Sequence, residues 1–239
     1  METRDYAVDP NNKPKPQNQF QRAMNIIVSP MSVIEDIKLK PNFLLPLGLI
    51  VLVGIISTLL TKDLAAQLVD ITYANAKMTP DQIAATKEAT SGLMSAMMYI
   101  GIILMPLIPL IKGCVSHLLS ILFGGEGTFA ETVSLMVNAY LIQMLGTVIA
   151  LPIMLITNNG AFGFSPALLL PIAKFGTPIY STLAALNLFA IWYLVVSIMG
   201  VKKIHNVATW KAALIVLLPF VLMTGFTWIG VLMGAPSGL

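Results

Sequence analysis

The chain has 239 residues, of which 56% are hydrophobic and only 10% are charged, and its mean hydropathy is +0.83. Its formal net charge of +3 excludes the dense basic face that nucleic-acid binding needs. No Asp or Glu follows Glu131, so the last 108 residues (239 minus 131) carry no carboxylate. A water-soluble domain needs surface charges of both signs. The composition therefore predicts an all-α, polytopic membrane protein.

The cysteine and histidine content argues against catalysis and metal binding. The single cysteine, Cys114, excludes an internal disulfide, and a metal cluster is not expected with only His117 and His205 beside it. Cys114 and His117 are close enough to meet on one helix, but no acid is placed to orient the His. We predict no catalytic residue, no cofactor and no metal site.

The N-terminal segment is polar and contains several prolines. We predict a disordered cytoplasmic tail over residues 1–28 and a single membrane domain over residues 29–239. The Ser29-Pro30 helix start and apolar residues at helical spacing predict a short amphipathic helix over 30–38. This helix either lies in the membrane interface or covers the cytoplasmic ends of the bundle.

Five apolar segments are long enough to cross about 30 Å of hydrocarbon. They lie at about 42–61, 92–123, 132–156, 177–200 and 212–233. The second segment carries Pro106 and Pro109 in its middle, which predicts a kinked or tilted helix. The largest polar loop is predicted at 62–92. Within it, Thr79 followed by Pro80 is a strong helix start that leads into the second segment.

The distribution of Lys and Arg orients the bundle. With the amino end inside, nine of these residues face the cytoplasm (six before the first segment, three in the turn at 201–211). Four face outside (three at 62–92, one at 157–176). The positive-inside rule therefore favours five spans with the amino end in and the carboxyl end out. The alternative has four spans, with residues 112–123 lying flat in the interface.

Four polar residues interrupt the second and third apolar segments: Lys112, His117, Asn138 and Gln143. A chain that turns near residue 127 sets Lys112 opposite Gln143 and His117 opposite Asn138. A structural interpretation is two layers of hydrogen bonds that lock the helices together, at about 1 kcal/mol each. A functional interpretation is a polar path or binding spot. We favour the structural one, because no carboxylate lies opposite Lys112 and its ammonium can snorkel.

The turn between these segments runs from Gly124 to Glu131. Gly124, Gly125 and Gly127 are predicted to end the preceding helix with positive φ angles. Thr128 and Glu131 have the spacing of a capping box that starts the next helix. A phosphate-binding loop is not expected, since no Lys-Ser/Thr follows the glycines and no strand precedes them.

This hairpin also carries a family resemblance. The run from Leu118 through the turn GGEGTF to Tyr140 resembles the Ypt-interacting-protein (Yip) domain family of membrane proteins. The letters SPMSVI at 29–34, KP at 40–41 and KA at 211–212 fit the same family. The resemblance covers about residues 28–235, and its prokaryotic branch is the closer fit. It implies a five-helix membrane bundle with a cytoplasmic N-terminus.

The resemblance also implies partners. Eukaryotic members are linked to vesicle trafficking and Rab-type GTPases, but their acidic N-terminal motif and Tyr-Gly-Pro segment are absent here, which argues against GTPase binding. The Pro that often follows the Tyr of the third span is also missing. Some prokaryotic relatives look like accessory components beside transport systems. The absence of an N-x-S/T sequon fits a bacterial cytoplasmic membrane.

The expected function is a non-catalytic membrane scaffold or accessory subunit. It would contact membrane lipids and assemble with other membrane proteins, with an ABC-type exporter as the partner suggested by family analogy. The alternative is a transport module for a small solute or lipid headgroup, using the polar path between the second and third spans. A cavity that reaches all four polar residues favours transport, and a dry hydrogen-bonded hairpin favours the scaffold.

Overall fold

The computed structural model describes residues 17–75 and 78–232, and all regular secondary structure in those two ranges is helical. The all-α class is confirmed. The described chain contains the α-helices α1 Gln19–Val28, α2 Pro30–Leu39, α3 Leu44–Asn75, α4 Pro80–Leu104, α5 Leu107–Leu122, α6 Phe129–Thr157, α7 Pro178–Ala185, α8 Leu188–His205 and α9 Thr209–Leu232. Two 3₁₀ turns, Pro166–Leu169 and Ile172–Lys174, lie between α6 and α7.

Three of these helices, α3, α6 and α8, are long and apolar enough to cross a membrane. Helix α5 and the Thr209–Gly225 part of α9 are apolar but shorter. Helix α6 forms the centre of the bundle, because α1, α2, α3, α5 and α8 all pack against it. Every residue from 132 to 142 is buried there. The structure thus supports an integral membrane protein, while the count of five spans and their orientation stay predictions.

Helix α3 is longer than the predicted first span. It continues past residue 61 to Asn75, through part of the segment predicted as a polar loop. Residues 62–75 contain no Gly or Pro and several Leu and Ala, so nothing in them ends the helix. The Asn75 Nδ2 donates to the carbonyl of Phe175 at 2.8 Å, which ties this part of α3 to the loop after α6. The predicted loop at 62–92 is therefore mostly helical.

The second apolar segment is divided into α4 and α5. The break lies at Met105 and Pro106, because Pro106 lacks the N–H that would continue the ladder. Met105 and Pro106 keep right-handed helical dihedral angles, so the prolines divide the segment into two helices without an extended linker. Helix α4 begins as predicted, with Thr79 accepting the N–H of Gln82 in a capping box. Helix α5 then packs along α6, and a Cβ at Gly113 would lie 2.9 Å from the Cα of Val133.

The sequence predicts a fourth span at 177–200, and the structure divides this region into two helices. The chain forms the short helix α7, breaks near Asn187, and starts α8 at Leu188. Asn187 caps α8 by accepting the N–H of Phe189 at 2.8 Å. Helix α8 runs on to His205 because Asn206, with φ 52°, ends it in a left-handed conformation. Because the Asn187 side chain caps α8, this apolar helix begins and ends later in the chain than the predicted span. The fifth span at 212–233 corresponds to α9.

The predicted tail of residues 1–28 is helical over its last ten residues. Helix α1 buries Arg22 and Ile26, which an unstructured tail would leave in solvent. Residues 1–16 lie outside the described ranges. Helix α2 forms where the amphipathic helix was predicted and buries Val33, Ile34 and Ile37 against the bundle. It therefore covers the end of the bundle, which is one of the two predicted placements.

Connecting segments collect at the two ends of α6. At the end where α6 begins, which we call the turn end, the glycine turn meets the α8–α9 connection. Helices α1 and α2 pack against α6 at the same end, and α2 also packs against α8. The Glu126 N–H donates to the carbonyl of His205 at 3.1 Å, and the Lys211 Nζ donates to the carbonyl of Phe123 at 3.0 Å. The segment after α6 meets α3 at the other end. In a chain that crosses a membrane five times, successive connections would likewise lie at opposite ends of the bundle.

Candidate functional site

The glycines of the hairpin turn serve two different purposes. Gly124 has φ 78°, as predicted, but Gly125 and Gly127 do not have positive φ angles. A Cβ at Gly125 would lie 2.8 Å from the Cβ of His205, and one at Gly127 would lie 2.5 Å from Cγ2 of Ile204. The prediction of three positive-φ glycines is therefore wrong for two of them. They are small because the end of α8 packs directly on the turn.

The capping box is confirmed. The Thr128 Oγ1 accepts the N–H of Glu131, and the Glu131 Oε2 accepts the N–H of Thr128 at 2.7 Å. Helix α6 therefore begins at a fixed point directly after the turn.

His205 is a central residue of the turn end, and the sequence analysis considered it only as a member of a metal cluster. It is fully buried, its Nδ1 accepts the N–H of Gly127 at 3.2 Å, and its Nε2 lies 2.8 Å from Thr132 Oγ1. Since Nδ1 accepts, the network assigns the proton to Nε2, so the ring is neutral and donates to Thr132. The Thr132 hydroxyl in turn donates to the carbonyl of Thr128 at 2.9 Å.

His117 joins this cluster rather than the predicted polar layer. Its Nδ1 lies 3.3 Å from Thr132 Oγ1, and its ring meets Phe129 edge-on with centroids 5.4 Å apart. The predicted pairing of His117 with Asn138 is therefore wrong. Gly113 lies against Val133 and His117 against Thr132, so the two helices meet in a register nearer the turn than the predicted one.

Asn138 instead fixes the entry of the chain into the bundle. Its Nδ2 donates to the carbonyls of Asn42 at 3.1 Å and Ser134 at 2.7 Å. The same Asn42 carbonyl accepts from Ser134 Oγ at 2.9 Å and from Arg22 Nη1 at 3.0 Å. One carbonyl before α3 thus receives three donors from α1 and α6. Polar residues of α6 hold the loop that precedes α3.

Arg22 completes this network with a buried ion pair. Its guanidinium donates to the carboxylate of Asp36 through Nε at 2.7 Å and through Nη2, and both side chains are almost fully buried. Nη2 also donates to the carbonyl of Lys40 at 3.0 Å. The hydrogen bonds of the Arg22 guanidinium therefore go to α2 or to the segment before α3. This arrangement fastens α1 and α2 to the bundle.

Lys112 points into the bundle instead of toward its surface. The Nζ lies 4.6 Å from the ring centroid of Tyr193 on α8 and 5.2 Å from that of Tyr140 on α6. Both distances allow cation–π attraction. The snorkelling expected for this residue is not seen. Its expected neighbour Gln143 lines the same cavity, although the ammonium contacts the two rings and not the amide.

The cavity beside Lys112 has a volume of about 720 Å³. It lies between α5, α6, α8 and α9 and extends to the loop after α6. Lys112 and Gln143 line it, whereas His117 and Asn138 do not. The structure therefore brings together only two of the four predicted residues in this space. The other two belong to the packed turn end.

Within residues 17–75 and 78–232, no group of three His, Cys, Asp or Glu side chains could hold a metal ion. The residues missed by the sequence analysis are those whose partners lie far away in sequence: Arg22, Asp36, Asn42, Ser134 and, as a structural centre, His205. Arg22 and Asp36 both lie among apolar residues at helical spacing. That pattern indicates amphipathic helices, but it does not indicate that these two charged side chains are buried.

The family model described as the Yip1 domain matches residues 24–230 of the chain. This match covers most of the chain, including every element of the turn end except the first residues of α1. Comparison with curated proteins and with solved structures gives no significant match.

Proposed function

This chain belongs to the Yip1 domain family, and from that premise we propose that it is a non-catalytic accessory protein that assembles with other membrane proteins. The observation that carries the proposal is the use of buried polar side chains at the turn end. Arg22, Asn138 and His205 all hold chain segments to one another. A preorganised surface of this kind loses less entropy when a partner binds.

The turn end offers a charged surface for such a partner. Lys38, Lys40, Lys202 and Lys203 are exposed there, and Trp210 at the start of α9 is 60% exposed. Exposed cations on a rigid base are complementary to an acidic segment of another membrane protein. We place the docking surface at these residues.

The transport alternative has less support. A polar path would need its polar residues in one continuous space, yet His117 and Asn138 lie outside the cavity that Lys112 and Gln143 line. Their hydrogen bonds join α5 and the segment before α3 to α6. The hairpin of α5 and α6 is thus closely packed at the turn end, and farther from the turn it borders the cavity. A scaffold accounts for the packed part.

We propose further that the protein lies in a bacterial cytoplasmic membrane and that an ABC-type exporter is the partner class to test first. Both statements rest on the family analogy drawn from the sequence. The basic turn end would then face the cytoplasm, where an exporter presents its nucleotide-binding components.

The test is affinity capture from native membranes with matched variants. The double variant Lys202→Gln/Lys203→Gln removes exposed charge at the turn end, and Lys174→Gln removes an exposed charge elsewhere. We expect wild type and Lys174→Gln to retain the same membrane proteins and the double variant to lose them. Because exposed charges contribute little to stability, all three should stay folded.

Reconstitution in liposomes decides the alternative. Recovery of the chain alone from membranes, together with flux of a small solute in liposomes, would contradict the scaffold. Co-purification of defined membrane proteins without flux agrees with it. The Lys202→Gln/Lys203→Gln variant should change the result of affinity capture but not the flux in liposomes, since its lysines do not line the cavity.

A further inference from the structure

We propose that the cavity beside Lys112 binds an amphiphile, with an anionic carboxylate or phosphate head at Lys112 and an apolar tail along the groove. This binding site does not depend on the accessory role. A scaffold needs no such cavity, and the ligand could be held whether or not a partner protein docks at the turn end.

The first argument is the missing counter-charge of Lys112. No Asp or Glu occurs between Glu88 and Glu126 or after Glu131, so the sequence around the cavity supplies no carboxylate. In the described part of the chain, the Lys112 ammonium forms no ion pair, and it faces the rings of Tyr140 and Tyr193. Rings attract the charge but accept none of its three N–H bonds in the way an oxygen does.

The second argument is the position of Lys112 along its helix. It lies ten residues (122 minus 112) before the end of α5 at Leu122, which is about 15 Å along the helix axis. Water at the turn end is therefore out of reach of its ammonium. An ionisable group at such a place in an apolar bundle is expensive without a partner and marks a functional site by default.

The third argument is the supply of further polar groups for one anion. Ser116, one helical turn from Lys112, and Gln143 and Tyr140 of α6 line the same cavity. A hydroxyl and an amide can each donate to a carboxylate or phosphate oxygen. Together with the ammonium, they form a cluster of donors with no protein anion to receive them.

The fourth argument is the apolar remainder of the cavity. Met144, Met154, Phe162, Phe164 and Phe189 line it toward the loop after α6. Methionine side chains are flexible and adapt to chains of different shape. The volume of about 720 Å³ falls within the range of ordinary ligand pockets, about 300–1,000 Å³. A polar head group at one end and an apolar lining beyond it fit an amphiphile better than a small solute.

The experiment is a displacement assay on the full chain, purified in an uncharged detergent. The probe is a dansyl-labelled fatty acid, and the competitors are oleate, methyl oleate, phosphatidic acid and inorganic phosphate. We expect oleate or phosphatidic acid to displace the probe at least tenfold more strongly than methyl oleate, since only the charged heads meet Lys112. The stronger of the two identifies the head as carboxylate or phosphate.

Two outcomes would overturn the proposal. Displacement by inorganic phosphate as strong as by oleate would mean that a free anion, not an amphiphile, occupies the site. Displacement by methyl oleate equal to that by oleate would mean that charge has no role.

Matched variants locate the site. Lys112→Met should weaken probe binding about tenfold or more, Lys112→Arg should retain it, and Lys174→Met should match wild type. Ala190→Phe fills part of the cavity and should weaken binding even if the charge variant fails to fold. Binding at wild-type strength by folded Lys112→Met or Ala190→Phe would refute the assignment.

Discussion

Arg22 joins α1 to α2 and to the segment before α3 through buried hydrogen bonds. It is 2% exposed, and its guanidinium bonds to the Asp36 carboxylate and to the carbonyls of Lys40 and Asn42. Arg22→Met leaves Asp36 as an uncompensated buried charge, which we expect to destabilise the fold by about 3–5 kcal/mol. The measurement is chemical unfolding of the detergent-purified protein.

A double variant tests whether the buried Asp36 charge, left without its partner, causes the destabilisation. Arg22→Met/Asp36→Leu removes both charges, and replacement of a buried ion pair by apolar residues is often close to neutral. The double variant should therefore unfold at a higher denaturant concentration than Arg22→Met alone. Equal stability of the two variants would mean that the stranded Asp36 charge is not the cause.

The glycines allow a second test at the residue scale. Gly125→Ala places a methyl group 2.8 Å from His205 Cβ and 2.9 Å from the Ser120 carbonyl, and we expect a loss of about 1–3 kcal/mol. Gly101→Ala in α4 is the control, because nothing lies within 4 Å of its Cβ and alanine favours a helix. Thermal unfolding of both variants checks this. A stable Gly125→Ala would mean that α8 does not pack on the turn.

Sequence reasoning found the residues at the hairpin but not their partners. Thr128 and Glu131 were predictable because both members of the capping box are local. Arg22 and Asp36 are fourteen positions apart, and His205 meets Gly127 across 78 positions. Contacts at such separations follow from tertiary packing, so no spacing rule identifies them.

At the scale of elements, starts were easier to predict than ends. Thr79 and Thr128 mark the beginnings of α4 and α6 through side-chain caps that the sequence displays. The continuation of α3 past residue 61 and the break at Asn187 were missed. At both places the chain bonds to the loop after α6, since Asn75 donates to Phe175 and the Leu188 N–H donates to Phe164.

The two caps should differ in their effect on stability. Thr128→Ala removes the cap of the central helix, so we expect a loss of about 1 kcal/mol in the free energy of unfolding. Thr79→Ala removes the same type of cap from α4, whose main packing partners in the described part of the chain are α3 and α5. Its loss should fray α4 locally and leave global unfolding unchanged. Equal global losses would show that α4 is as firmly packed as α6.

At the scale of the whole molecule, the positively charged segments and the buried hydrogen-bond network lie at the same end of the bundle. The positively charged segments at 1–40 and 201–211 supply nine of the 14 Lys and Arg residues. The described parts of both lie at the turn end, where Lys203 is 3.5 Å from Glu35. Composition alone indicated this division, but it does not fix how many helices cross the lipid.

Cysteine labelling tests the orientation that follows from this division. On a Cys114→Ala background, Ala208→Cys and Ala173→Cys each introduce one exposed thiol without changing the charge count. Ala208 lies in the α8–α9 connection and Ala173 in the loop after α6, with α8 between them. Nine positive charges inside against four outside predict that an impermeant maleimide added to intact cells reacts with Ala173→Cys only. Ala208→Cys should react after the membrane is opened. Reaction of both thiols from the same side would mean that the chain does not cross between them, and the five-span threading would fail.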